Sequence, residues 1–300
     1  MSCTNASSPI DLTITNIQGN CDMKCDYKFM YPKSSLIATH QNNYISISYD
    51  DATLPPVVYN SIKYKVNKVK LYSPSIHTFS GNTAAAELII EHSSTQGTNS
   101  LFVCVPIVLR EGNSEVSSLL NKLITGLSSN APSDGESTSV AVDNFTLNLF
   151  VPYKPYYSYT ATNFSIPCDQ TIDYIVFDIN NIQDINIKKD DLTKLNQLIG
   201  NPGFPIVKGT PYFFNKNGPG TIGGGDDIYI DCKPINKSDE NTTIITGEEN
   251  NQDINIKDIL SSPIFQLLIG ILIFLILMVL IKTGINYFYH QSIEFNNRFK

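Results

Sequence analysis

Tryptophan is absent from this 300-residue sequence, histidine occurs four times, and positive charge is outnumbered: 21 basic residues stand against 28 acidic ones, a net charge of −7. Such a chain lacks the broad basic surface that a nucleic-acid backbone requires, so no nucleic-acid partner is expected. Cys21 and Cys25 sit four apart with no second pair beside them. That excludes a zinc knuckle and leaves either scattered buried thiols or one disulfide. No serine lies in a nucleophile elbow. Gly223-Gly224-Gly225 leads to the strand-like Ile228-Tyr229-Ile230 rather than to a lysine and a helix, so it is not a phosphate loop. Met1 to Leu12 has neither a basic leader nor an apolar core, so no signal peptide is expected. No internal repeat is visible.

What is present points to a β-rich domain. Sixteen Tyr and 15 Phe, with Ile, Val and Thr in short runs, suit pleated strands. Strands are expected at Asn43–Tyr49, Ser61–Tyr72, Ala84–His92, Leu101–Leu109, Phe145–Val151 and Tyr174–Asp178. Helical spacing appears at residues 115–125 and 190–199, with Asp190 or Asp191 placed to cap the second helix. Residues 1–200 read as one domain, and 201–234 as its Gly- and Pro-rich extension. Residues 235–258 read as a polar, acidic stalk. Sequons at Asn5, Asn144, Asn163, Asn236 and Asn241 are as many as this composition yields by chance.

Residues 264–281 carry no charge over eighteen positions, within a span expected at 259–282 and followed by a short tail, 283–300. As a helix the uncharged run is about 27 Å long, the thickness of a bilayer's hydrocarbon core. A single transmembrane helix is therefore expected. Without a signal, it places the bulk on the cytosolic side, or outside a particle that acquires its membrane within a cell. Lys282, Arg298 and Lys300 after the span vote for the opposite orientation by the positive-inside rule. A virion membrane reconciles the two.

Five blocks, in order, resemble the α-carbonic anhydrases. They are Ser8-Pro9-Ile10-Asp11-Leu12, the run Lys68 to Thr78 with Ser73-Pro74-Ser75-Ile76-His77, and Ala86-Glu87-Leu88-Ile89-Ile90-Glu91-His92. Leu101 to Gly112 follows, and then Tyr157-Ser158-Tyr159 through Cys168 with Tyr174-Ile175-Val176-Phe177. The resemblance implies a large twisted, mostly antiparallel sheet of about ten strands with short peripheral helices. It also implies that the chemistry is lost. The three zinc-ligand positions hold Lys70, Tyr72 and Ile89; an ammonium cannot ligate zinc and an alkyl group has no donor. The family's gatekeeper glutamate and threonine align with Ile76 and Phe164, and its shuttle histidine with Asn43, close to His40. His77 and His92 match positions outside the ligand set, and His290 lies past the apolar run, so no second triad is expected. No catalytic residue, metal or other cofactor is expected. The remnant pocket would comprise Lys68, Lys70, Tyr72, Glu87, Ile89 and Phe164, with Glu87 neutralising Lys70. Cys3 and Cys168 fall where some family members form a disulfide.

An anhydrase-like domain without zinc on a C-terminal anchor resembles the cell-surface-binding envelope proteins of poxviruses. This implies a virion membrane protein of a large DNA virus, present on host membranes during assembly. Its role would be attachment to a host surface glycan such as a glycosaminoglycan, or structural contact with other virion proteins. Anionic polysaccharide needs positive charge. Val57–Tyr72 supplies Lys63, Lys65, Lys68 and Lys70 with no acid. By strand alternation Lys63 and Lys65 share one face and Lys68 and Lys70 the other, so one patch requires a bulge between them.

Overall fold

The computed structural model describes residues 3–21, 24–49, 54–97, 99–129 and 139–222. The apolar run 264–281, the stalk, the tail and the triple glycine lie outside these residues. Among the described residues no helix is long and apolar enough to cross a membrane.

The sheet is built on a path of ten strands. In spatial order they are Ser139–Phe145, Ser34–His40, Ile45–Tyr49, Ile62–Tyr72, Ala86–Ser94, Ser100–Leu109, Thr171–Phe177, Tyr156–Thr162, Tyr212–Asn215 and Ile17–Asn20. Neighbours run antiparallel except at two junctions, Ser100–Leu109 with Thr171–Phe177 and Tyr212–Asn215 with Ile17–Asn20. The central strands Ala86–Ser94 and Ser100–Leu109 are almost wholly buried, as near-continuous apolar runs covered on both faces must be. The sheet continues past residue 200, because Tyr212–Asn215 pairs with Tyr156–Thr162.

Two apolar layers cover the two faces. One carries Tyr64, Val69, Leu71, Leu88 and Ile90 against the two helices. In α1 (Glu115–Ser129), Val116, Leu119, Leu120, Leu123, Ile124 and Leu127 form one buried stripe at three- and four-residue spacing. α2 (Lys189–Leu198) adds Leu195. The second layer holds Tyr72, Ile89, Phe102, Cys104, Tyr159, Phe164 and Tyr174.

Two local expectations are corrected, and one left open is decided. Phe145–Val151 is not a strand: the strand ends at Phe145, and Leu147–Leu149 is a short 3-10 turn. Thr146 Oγ1 accepts the Asn148 N–H, and the Asn148 amide bonds Tyr31 at both its backbone groups, so side-chain bonds here outcompete a ladder. Neither Asp190 nor Asp191 caps α2. Lys188 occupies that position without a side-chain bond, and Asp191 turns inward to accept from the Asn121 amide of α1 at 2.7 Å. Cys21 and Cys25 are joined as a disulfide.

Candidate functional site

The strand Ile62–Tyr72 and its partner Ala86–Ser94 position the site. Glu87 lies opposite Tyr72, Ile89 opposite Lys70 and Glu91 opposite Lys68. The next pair is His92 with Val66, so Asn67 has no partner and forms a β-bulge. The bulge changes the alternation. Beyond it Lys65 pairs with Ser93, which shares a face with Glu91, and Lys63 stands two residues further on. Burial agrees: Tyr64, Val69 and Leu71 point to the helix-covered core, with Ile62 and Val66 packed beside them. Lys63, Lys65, Lys68 and Lys70 therefore share the opposite face with Tyr72.

Lys70 does not pair with Glu87. Its Nζ meets Glu91 Oε1, and the two side chains are 11% and 10% exposed. They meet as an ion pair, without an aligned hydrogen bond to Oε1. Glu91 is the residue that the sequence reading missed. Its signal was its parity, because it alternates with Glu87 and Ile89 on one strand. The Tyr44 ring adds to the cationic site: its centroid is 5.5 Å from Lys70 Nζ and 5.8 Å from Lys68 Nζ.

Glu87 is occupied elsewhere. Its Oε2 accepts the backbone N–H groups of Ile76 and His77 at 2.8 and 3.0 Å. Its Oε1 lies 2.6 Å from His77 Nδ1, and His77 Nε2 lies 2.7 Å from the Tyr159 hydroxyl. A carboxylate only accepts, so Nδ1 carries a proton, and Nε2 is the atom that meets the Tyr159 hydroxyl. Burial holds the Tyr159 phenol well above its usual range, so the hydroxyl stays protonated.

The described residues include one buried group suited to a metal by donor type, His77, Glu87 and Cys104, with ligand atoms within 4.8 Å of one another. Sequence reading placed His77 outside the ligand set; the fold brings it to Glu87 and the free Cys104. For a metal to enter, the Cys104 thiol must ionise, and burial, followed by the charges of Glu87 and Glu91, pushes it well above the usual thiol range. One His77 nitrogen must also leave its present partner. As it stands Glu87 and both His77 nitrogens are taken up by hydrogen bonds.

Aromatic rings cluster around Tyr72. Phe164 and Phe204 stand 4.7 Å apart between centroids, Tyr72 lies 6.0 Å from Phe204, and Tyr44 lies 5.4 Å from Tyr72. Burial drives the Tyr72 hydroxyl far above the usual phenol range, so it offers no anionic oxygen. His40 is turned to the end of α2, where its Nε2 lies 2.5 Å from the Leu198 carbonyl. Cys3 and Cys168 form a disulfide with Cα atoms 5.5 Å apart.

No family model and no curated protein matches the chain. Solved structures do. Dioscorin complexed with ascorbate is 15% identical, with a TM-score of 0.57, covering 71% of this chain and 86% of its own. The α-carbonic anhydrase of Thermovibrio ammonificans, in complex with sulfanilamide, is 16% identical, with a TM-score of 0.54 and coverage of 70% and 87%. A hyperthermostable carbonic anhydrase from a hydrothermal vent chimney is 18% identical, with a TM-score of 0.52 and coverage of 71% and 89%. The described part of this chain has an α-carbonic anhydrase-like fold.

Proposed function

We propose that this chain is a non-catalytic binding module on the carbonic anhydrase scaffold, and that it holds anionic polysaccharide on the lysine-bearing face of its sheet. The observation that carries this reading is the bulge at Asn67, which gathers Lys63, Lys65 and Lys68 on one face of an otherwise acidic chain. Lys70 stands at the inner end of that row, where it meets Glu91. Clustered ammonium groups on one strand attract a sulfated chain by long-range charge and by counterion release. The zinc chemistry has no place to act in this reading. Lys70 is paired with Glu91, burial keeps the Tyr72 phenol protonated, Ile89 has no donor atom, and His77 and Glu87 are bonded to each other.

Tethered by the apolar run 264–281, such a module serves attachment of an enveloped particle to a host cell surface. The domain would lie outside a virion membrane and pass through host membranes during assembly. The experiment is binding of the full-length chain, in detergent micelles, to immobilised heparin and to neutral dextran, with zinc analysis of the same sample. Salt-sensitive binding to heparin alone, weakened several-fold by Lys65→Ala or Lys68→Ala, is expected. One tightly held zinc per chain with carbon dioxide hydration overturns the non-catalytic reading. No heparin binding favours a structural role among virion proteins, with which the net charge of −7 also agrees.

A further inference from the structure

Four buried side-chain oxygens among the described residues have no hydrogen-bond partner in the protein, and three of them belong to one junction: Ser117 Oγ, Asn186 Oδ1 and Asp191 Oδ2. Ser117 lies in the first turn of α1, Asp191 in the first turn of α2, and Asn186 on the short strand Asn186–Ile187. α1 packs against both other elements. Direct bonds ring the junction. Asn121, one turn after Ser117, donates its amide to Asp191 Oδ1 at 2.7 Å, and Glu111 Oε1 accepts the Lys189 N–H at 3.1 Å. A Cβ on Gly112, in the loop that enters α1, would stand 4.0 Å from Asn186 Oδ1. All three side chains are more than nine-tenths buried. Their other polar groups are used: the Asn186 amide nitrogen donates to the Gln183 and Asp184 carbonyls, and the Ser117 N–H to Ser114 Oγ.

Buried polar groups need partners, and a carboxylate oxygen needs one most. Two of the three oxygens can only accept, while the serine hydroxyl can donate. The first turns of two helices make the local potential positive, which disfavours a cation. A small neutral guest that donates twice and accepts once meets the demand, and that guest is water. We infer that one water molecule is a fixed part of this junction: it donates to Asp191 Oδ2 and Asn186 Oδ1, accepts from the Ser117 hydroxyl, and so joins α1, α2 and the Asn186–Ile187 strand. It anchors the start of a helix whose far end serves the site. There Asn196 Oδ1 accepts from Ser73 Oγ at 2.6 Å, next to Tyr72, and the Leu198 carbonyl meets His40. Its presence does not depend on the polyanion reading.

A crystal structure of the full-length chain in detergent is the test. A solvent peak is expected within about 3.2 Å of Ser117 Oγ, Asp191 Oδ2 and Asn186 Oδ1 together. No peak, or one that reaches fewer than all three oxygens, overturns the assignment. Oxygen distances of about 2.4 Å would mark a cation and overturn it as well. In solution, relaxation dispersion of oxygen-17 water counts the long-lived internal waters. Asp191→Leu removes the strongest acceptor and puts an apolar branch beside the water's position, so the count should fall by one. Thermal unfolding checks that the variant is folded. An unchanged count in the folded variant overturns the inference. If Asp191→Leu fails to fold, Ser117→Val gives the same comparison, and the crystallographic peak decides in either case.

Discussion

His92 is a residue whose titration the fold has changed. Burial lowers its pKa from 6.5 to about 4. Its Nδ1–H donates to the Leu101 carbonyl at 3.1 Å, so Nε2 accepts from the Tyr31 hydroxyl at 2.9 Å, and Tyr31 in turn lies 3.0 Å from Tyr27. A proton on Nε2 would face a donor and force the tyrosine pair to reorient inside the core. The unfolded chain takes up that proton near pH 6.5, whereas the folded one does so only near 4. The stability tied to neutral His92 is therefore fully present above pH 6.5 and is lost as pH falls towards 4. It amounts to about 3 kcal/mol. Urea unfolding at pH 7.5, 6.0 and 4.5, on the original chain and on His92→Gln, measures it. The original should lose stability across this range by more than the variant does; parallel curves would sink the idea. Glu91 and His92 are adjacent and face opposite sides of the sheet. One is legible as a site residue only through its parity, and the other only through its burial.

At the scale of the element, the lysine face depends on one inserted residue. If Asn67 instead took a regular place in the ladder, residues 62–66 would turn over: Tyr64, now fully buried, would face the lysine side, and Lys63 and Lys65 would face the helix-covered core. Burying two ammonium groups in that core costs far more than the bulge does. Deleting Asn67 removes the extra residue and leaves Val66 opposite His92, so residues 62–66 keep their faces and the deletion variant should still fold. Asn67→Ala should cost less than about 1 kcal/mol, because Asn67 is exposed and has no ladder partner. Chemical denaturation of the two variants checks this, and a deletion variant that fails to fold would contradict the register. The sequence showed the long strands and both helices, because apolar runs and helical stripes are local patterns. It did not show the hairpin turn at Asn60 and Ser61, whose φ angles of 48° and 67° are carried by a pair that lacks glycine. Nor did it show the short strands Tyr27–Phe29 and Val57–Tyr59 that pair with each other, since runs of three residues carry no period.

For the whole molecule, the Cys3–Cys168 bridge joins residues 165 apart in sequence and ties the start of the described chain to the loop before the Thr171–Phe177 strand. Closing so long a loop restricts the unfolded chain by about 5 kcal/mol in the chain-entropy account, and native bridges commonly deliver 2–5. Cys3→Ser should lower unfolding stability by that amount under oxidising conditions, and a reductant should abolish the difference between variant and original. Equal stability in the two oxidised proteins would show that the bridge does not constrain the chain. The sequence by itself determined the β-rich class, the anhydrase-like order of blocks and the run of four lysines, because each is a matter of identity or local spacing. Only the tertiary structure decided which charges meet. Lys70 takes Glu91 rather than Glu87, His77 is drawn to Glu87 and Cys104, and the four lysines come to one face, because pairing across strands depends on register, and a single bulge resets register in a way that spacing along one chain does not reveal.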